Sequence, residues 1–335
     1  MYKVFVHLGS SIPLYLKNNL RALSIESVDS ELCLIVSDRK YARGIPKSVE
    51  IFVYNRSEET EKLCKAHTHP KDFRNDFWFL SIERFIALNQ FAMVHEGPIL
   101  HFESDILVAT DFPFHNFEKL NCDIAFPIVS DLRGVASVVY FRDPSSIRKF
   151  TKFCINEILH DSKTTDMLIM RKFYDQNRMS TEPLPTGVLE FRHFYESNID
   201  VETNKRINDN LKLIGGVIDG HDIGVNLLGS DPRNRRGISK TYVGIPGSYI
   251  DQRKFSFKYN SARKFLDFKY EKNPMKKDIP IFAIHATVKY ITLFDKNTRK
   301  IILKYFSKKP PIPKKRFNLR ILAVSIFESI RRKMK

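Results

Sequence analysis

Residues 99–102, Ile-Leu-His-Phe, are apolar on both faces except at His101. A strand of that kind belongs in the interior of a sheet covered on both sides. Gly97 and Pro98 mark the turn that leads into it. The run is broken by two carboxylates one residue apart, Glu103 and Asp105, and a second apolar run, 106–109, follows at once. An unpaired buried carboxylate costs several kcal/mol or neutralises itself. Two of them at a strand end therefore call for a divalent cation, which takes hard oxygen ligands, or for solvent at a turn. The run alone leaves both open.

The flanking pattern sets the fold class. Residues 2–8, 31–36 and 49–54 are rich in β-branched and aromatic side chains and read as strands. Between the first two, Ile12, Leu16, Leu20 and Leu23 share a helical face. Residues 73–91 have helical spacing, and the 97–113 stretch supplies the next strand. Strands follow at 123–129 and 136–141. Asp143-Pro144 caps a helix from about 146 to 159, and Thr164-Thr165-Asp166 one over 167–176. Leu184-Pro185 is a break, residues 195–212 read as a polar loop or lid, and 281–286 is a late strand carrying His285. This alternation predicts an α/β domain with a central mixed sheet flanked by helices. With 43% hydrophobic residues the chain can bury a sizeable core. Cys33, Cys64, Cys122 and Cys154 form no CxxC pair and read as reduced thiols.

The net charge of +17 is unevenly placed. From Arg299 onward there are thirteen Lys and Arg against one acid, Glu328. Residues 308–316 form a Pro/Lys-rich linker. Beyond it Leu319, Leu322, Ala323, Ile326, Phe327 and Ile330 share one helical face bordered by Arg320, Arg331, Arg332, Lys333 and Lys335. A basic amphipathic helix of this kind is expected to lie on an anionic membrane surface. A nucleic-acid-binding protein would spread basic and aromatic residues across the fold, so nucleic acid is not expected. The dinucleotide fingerprint, the P-loop and the GxSxG elbow are all missing. The short polar start at residues 1–9 reads as a strand rather than a leader, and the reduced thiols suit the cytoplasm.

Polar groups collect at strand ends, where open α/β sheets bind ligands. Asp105 and His285 are suited to hold a divalent ion, with Lys289 facing phosphate oxygens that the ion bridges.

The segments 73–78, 83–85 and 100–105, the last reading Leu-His-Phe-Glu-Ser-Asp, resemble the donor half of metal-dependent GT-A-type (Rossmann-like) glycosyltransferases with their DXD-like motif. Residues 284–289, Ile-His-Ala-Thr-Val-Lys, are similar to the Leu-His-x-His-Ser-Lys stretch of bacterial polysaccharide glycosyltransferases and to the C-terminal His and Lys of glycogenin-like enzymes. Asp219-Gly220, Gly224 and Asp231-Pro232-Arg233-Asn234 are similar to a further signature of that bacterial group. The resemblance covers roughly residues 1–295. It departs at Glu103, where the motif has Asp, and at Thr287, where the pattern has His.

The resemblance implies transfer of a sugar from a nucleotide-diphosphate donor, with Mn²⁺ or Mg²⁺, to a glycan or lipid-linked acceptor hydroxyl. The setting would be surface polysaccharide synthesis at the inner face of the membrane. It makes Asp105 and His285 metal ligands, Glu103 a ligand to metal or ribose, and Lys289 a pyrophosphate contact. Ser104, Arg84, His7, Gly9 and Asp38 would line the donor pocket. Asp219, Asp222 and Asp166 are the base candidates. The domain would span 1–307, with a donor half of about 1–145 and an acceptor half of about 146–307, followed by the tail at 308–335. A catalytically inactive GT-A-like interaction module is the alternative.

Overall fold

A computed structural model describes residues 1–26, 31–69, 76–186, 199–221, 223–224, 255–270, 278–286 and 303. Expectations placed on residues 73–75, Asp222, 231–234, Lys289 and 308–335 lie outside that set.

The first half is an α/β layer. Strand β1 (Tyr2–His7) leads to helix α1 (Leu14–Glu26), then β2 (Leu32–Val36) and β3 (Glu50–Val53). Helix α2 (Glu58–Ala66) is N-capped by Ser57. Helix α3 (Phe77–Ala92) leads into β4 (Ile99–Phe102), whose four residues are all buried. Then come β5 (Ile106–Val108), the single turn α4 (Phe114–Phe117), β6 (Ile124–Ser130), β7 (Arg133–Gly134) and β8 (Val138–Phe141). Helix α5 (Pro144–His160) has Pro144 in its first turn behind an Asp143 cap. Helix α6 (Asp166–Gln176) is capped by Thr165. Strand β9 (Thr181–Leu184), helix α7 (Val201–Ile214) and the strands β10 (Val217–Ile218), β11 (Phe255–Asn260), β12 (Phe265–Tyr270) and β13 (Ile279–His285) complete the described chain.

The main sheet runs β3-β2-β1-β4-β8-β6-β7, with β9 on β6. β1 pairs in parallel with both β2 and β4, while β8 is antiparallel to β4 and β6, so the sheet is mixed. Side chains alternate between its faces. Val4 joins Phe85, Phe91 and Phe150 of the helical face, while Phe5 joins Phe102 and the strands of the second sheet. That second sheet runs β10-β13-β12-β11, with β5 pairing on β13. None of the described helices is long and apolar enough to cross a membrane.

Two expectations are corrected. The apolar runs either side of Glu103 and Asp105 are separate strands in different sheets. A tight turn, with Ile106 N–H donating to Glu103 O at 3.1 Å, redirects the chain from the main sheet to β13. Within 195–212, the described residues 199–212 are no loop: 201–212 belong to α7. Asp200 accepts from Thr203 N–H at 2.8 Å as its N-cap, Ile207, Leu211 and Ile214 are buried one turn apart, and Gly215 ends the helix at φ 85°. A polar composition hid a narrow apolar stripe at helical spacing.

Candidate metal and active site

The turn between the two sheets builds the site. Glu103 leaves β4 at the carboxyl end of the parallel strands, still tied to the sheet by its N–H to Ser137 O at 3.1 Å. Asp105 closes the turn. β5 then runs antiparallel to β13 with Ile106 opposite His285, and Ala286 N–H donates to Asp105 O at 2.9 Å. Strand register thus brings His285 to the motif across a long stretch of chain.

The ligand atoms of Glu103, Asp105 and His285 all lie within 4.8 Å of one another. His285 Nε2 is 3.4 Å from Glu103 Oε2 and 3.5 Å from Asp105 Oδ1. Two ligands each about 2.1 Å from one ion stand roughly 3.0–3.5 Å apart, so this spacing suits donors that share a cation. Glu103 Oε2 is buried and has no hydrogen bond. Burial opposes charge on His285, but Asp105 and then Glu103 outweigh it and lift the imidazole to about 10. Its Nδ1 is 2.8 Å from Gly220 O and donates there, which turns Nε2 toward the carboxylates. Two carboxylates and an oriented imidazole make a mixed oxygen and nitrogen donor set that fits a divalent metal.

Asp219 holds the histidine from behind. Its carboxylate is fully buried and accepts the backbone N–H of Ile223 (3.0 Å), Gly224 (2.7 Å) and His285 (3.0 Å). Asp219 N–H in turn donates to Ala283 O at 3.0 Å. Both oxygens are thereby engaged in fastening the 219–224 turn to the end of β13. The turn needs its glycines for close approach. A Cβ on Gly224 would stand 1.7 Å from His285 O, and one on Gly220 would stand 2.6 Å from Val129 Cγ1.

Arg84 projects from α3 into the other side of the motif. Its Nη1 donates to Glu103 Oε1 at 2.5 Å and its Nη2 pairs with Asp166 at the start of α6. Arg84 and Asp166 are both buried. Burial works against the guanidinium, yet Glu103 and Asp166 raise its pKa further. Burial raises the Asp166 carboxyl, partly countered by Arg84. Glu103 therefore spans Arg84 with one oxygen and faces His285 with the other.

The other expected residues are distributed along the same edge. Ser104 Oγ lies 3.5 Å from the Tyr15 hydroxyl of α1. His7, at the end of β1, donates from Nε2 to Ser11 O at 2.8 Å, and a Cβ on Gly9 would meet that nitrogen at 3.0 Å. Asp38, just past β2, accepts from Lys40 N–H at 2.9 Å and pairs with Lys40 Nζ at 2.7 Å. These three lie at the end of β1 and in the loops after β1 and β2, not in the metal cluster. Trp78 stacks on His69 at 5.2 Å.

Sequence reasoning missed Asn19. Buried at 2% exposure on α1, it donates from Nδ2 to Ile106 O at 2.7 Å. A lone Asn on a helix otherwise marked by its leucines carries no signal of such a task.

No family model matches the chain, and no curated protein matches its sequence. Among solved structures it is similar to the apo form of mouse xyloside xylosyltransferase 1 at 10% identity and TM-score 0.37, over 55% of this chain and 84% of that one. It is similar to an active-site mutant of LgtC at 14% identity and TM-score 0.43, over 62% of this chain and 83% of that one. It is also similar to the bifunctional IspDF from Campylobacter jejuni at 11% identity and TM-score 0.28, over 47% of each chain.

Proposed function

We propose that this chain is a GT-A-type glycosyltransferase that moves a sugar from a nucleotide-diphosphate donor to a glycan or lipid-linked acceptor hydroxyl. The observation that carries the reading is the Glu103–Asp105–His285 cluster at the carboxyl edge of the main sheet, its imidazole aimed by Gly220 and Asp219. The sequence resemblance of residues 100–105 and 284–289 points to the same chemistry. Glu103, Asp105 and His285 would hold Mn²⁺ or Mg²⁺. When bound, such an ion neutralises charge on a departing diphosphate.

In the proposed reaction the bond from the anomeric carbon to the diphosphate oxygen breaks with its electron pair going to the diphosphate. The acceptor oxygen bonds to the same carbon and loses its proton. Lys289 is assigned to the diphosphate, and His7, Gly9, Asp38 and Ser104 to the nucleotide. Arg84 holds Glu103 in place. Of the base candidates, Asp219 is engaged by three backbone N–H groups and Asp166 by Arg84, so Asp222 is the carboxylate assigned to proton acceptance on an inverting course. On this reading the donor half is about 1–145 and the acceptor half about 146–307. The basic helix after residue 308 would bring the enzyme to an anionic inner membrane face, where surface polysaccharide is built on lipid carriers.

The test is Mn²⁺-dependent binding and turnover. Wild-type chain is titrated with UDP, GDP and ADP, with and without Mn²⁺, and then assayed with the matching nucleotide sugars. Asp105→Asn is expected to lose metal-dependent nucleotide binding, and its retention of full metal-dependent activity would sink the reading. Binding without any turnover would favour the inactive module. For the tail, vesicles with and without phosphatidylserine are sedimented with the full chain and with residues 1–307, and equal binding by both would remove the membrane role.

A further inference from the structure

Two hydrogen bonds fix His285. Its backbone N–H goes to the Asp219 carboxylate at 3.0 Å, and its Nδ1–H goes to Gly220 O at 2.8 Å. Only the second touches the ring. A hydrogen bond weakens steeply only when its angle falls below about 120°, whereas a metal ligand has to be held to within about 10–20°. One bond at Nδ1 therefore leaves the far nitrogen loosely aimed. That nitrogen, Nε2, is the atom 3.4 Å from Glu103 Oε2 and 3.5 Å from Asp105 Oδ1. A further contact on the ring itself is needed.

His221 supplies one. Its ring centroid is 6.2 Å from that of His285, and the two planes stand at 79°. This is the edge-to-face arrangement that aromatic rings prefer, and a tilt or swing of the His285 ring would break it. His221 is half-buried and its Nδ1 is buried, so the side chain rests against protein instead of swinging in solvent. Its place in the chain is dictated by its neighbour. Gly220 provides the carbonyl that takes the Nδ1 proton, but position 220 cannot carry a side chain. A Cβ there would stand 2.6 Å from Val129 Cγ1 and 3.3 Å from Pro127 Cβ. The next residue is thus the one that lays a ring on His285. The turn beneath it is held firmly. Asp219 N–H donates to Ala283 O at 3.0 Å, and the Asp219 carboxylate accepts from Ile223 N–H and Gly224 N–H. Residues 220 and 221 therefore meet the histidine twice, once by carbonyl and once by ring.

We infer that His221 is a positioning residue, whose ring keeps the His285 imidazole oriented so that Nε2 stays aimed between Glu103 and Asp105. Its effect on metal affinity rests on the reading of that cluster as a cation site, whereas its restraint of the ring does not. Two measurements on the full chain test it. One is Mn²⁺ titration by electron paramagnetic resonance without nucleotide. The other, on metal-free chain, is the exchange of the His285 Nδ1 proton with water, followed by ¹⁵N–¹H magnetic resonance. His221→Ala is expected to weaken Mn²⁺ binding about three- to tenfold and to speed the proton exchange by a similar factor. His221→Phe keeps a ring of the same placement and is expected to stay within about twofold of wild type in both. Wild-type Mn²⁺ affinity in His221→Ala overturns the inference, whether or not the exchange is faster. So does a His221→Phe chain as impaired as His221→Ala, since ring packing would then not be the cause. Loss of cooperative urea unfolding in both variants would make His221 structural and overturn it as well. No Mn²⁺ binding by wild type, alongside proton exchange that depends on a ring at position 221, would uphold the restraint and count against the metal reading alone.

Discussion

Replacing Asp219 by asparagine separates two tasks that one carboxylate can perform. As a general base it would act on the acceptor and contribute little to stability. The structure instead has it accept three backbone N–H groups while fully buried. Hydrogen bonds to a charged group contribute about 1.5–3 kcal/mol each, and a buried donor left unpaired costs about 1–3 kcal/mol. Asparagine keeps one acceptor oxygen. Its amide nitrogen must then face Gly224 N–H and His285 N–H, or else Ile223 N–H, so one or two of these bonds are lost. A destabilisation of roughly 3–5 kcal/mol follows. Because the His285 N–H is one of the donors, the end of β13 should also loosen and Mn²⁺ affinity should drop by about 10- to 100-fold, as for other groups that orient a metal ligand. The assays are urea unfolding followed by tryptophan fluorescence and Mn²⁺ titration by electron paramagnetic resonance. An Asp219→Asn chain with wild-type unfolding midpoint and wild-type Mn²⁺ affinity, but lacking turnover, would refute the reasoning and restore the base.

Arg84→Met removes the cation between the half-buried Glu103 and the buried Asp166, and stranding the Asp166 carboxylate in this way should cost about 3–5 kcal/mol in chemical denaturation. Adding Asp166→Asn should recover part of the loss. Asn19→Leu keeps the volume but leaves Ile106 O without its donor. A cost of about 1–3 kcal/mol and a measurably weaker Mn²⁺ site are expected, and an unchanged Mn²⁺ affinity would show that α1 does not steady the turn. Lys3 is buried with its ammonium 3.6 Å above the Phe114 ring, and burial pushes it down to about 8. Its folded pKa lies below its unfolded one, so the penalty is complete below pH 8 and is relieved as pH rises from about 8 toward 10.5. Lys3→Met should abolish that rise. At pH 7 it should gain up to about 3 kcal/mol by linkage, less about 1 kcal/mol for the lost cation–π contact.

Much of the architecture could be read from local chemistry. The run Ile99–Phe102 had to be internal because both its faces are apolar, and all four residues are buried. The caps at Asp143 and Thr165 announced α5 and α6, which begin at the very next residue. Other elements gave no local sign. β9 contains Pro183, which normally argues against a strand, and it survives as an edge partner of β6. That 106–108 leaves the main sheet depends on β13, far along the chain, which no local pattern reports. At the site, the grouping of Glu103, Asp105 and His285 followed from residue types that share a ligand chemistry. The assignment of Asp219 among the base candidates could not be weighed in sequence, because backbone N–H groups have no letter in it.

The substitution of Glu for Asp at position 103 takes its sense from the same geometry. Arg84 comes from α3 on the helical face, and His285 comes from the second sheet. A carboxylate at the strand end must reach both, with one oxygen 2.5 Å from Arg84 Nη1 and the other 3.4 Å from His285 Nε2. The extra methylene carries it clear of the β4 backbone to a point between the two layers. Asp105, lying in the turn itself, is already on the His285 side. The paired acids are therefore unequal. Asp105 faces His285, whereas Glu103 also forms a direct ion pair with Arg84 and so couples the site to the buried Arg84–Asp166 pair and to the packing of α3 against α6. A change that moves either helix end is transmitted to one carboxylate of the site and leaves the other in register with β13.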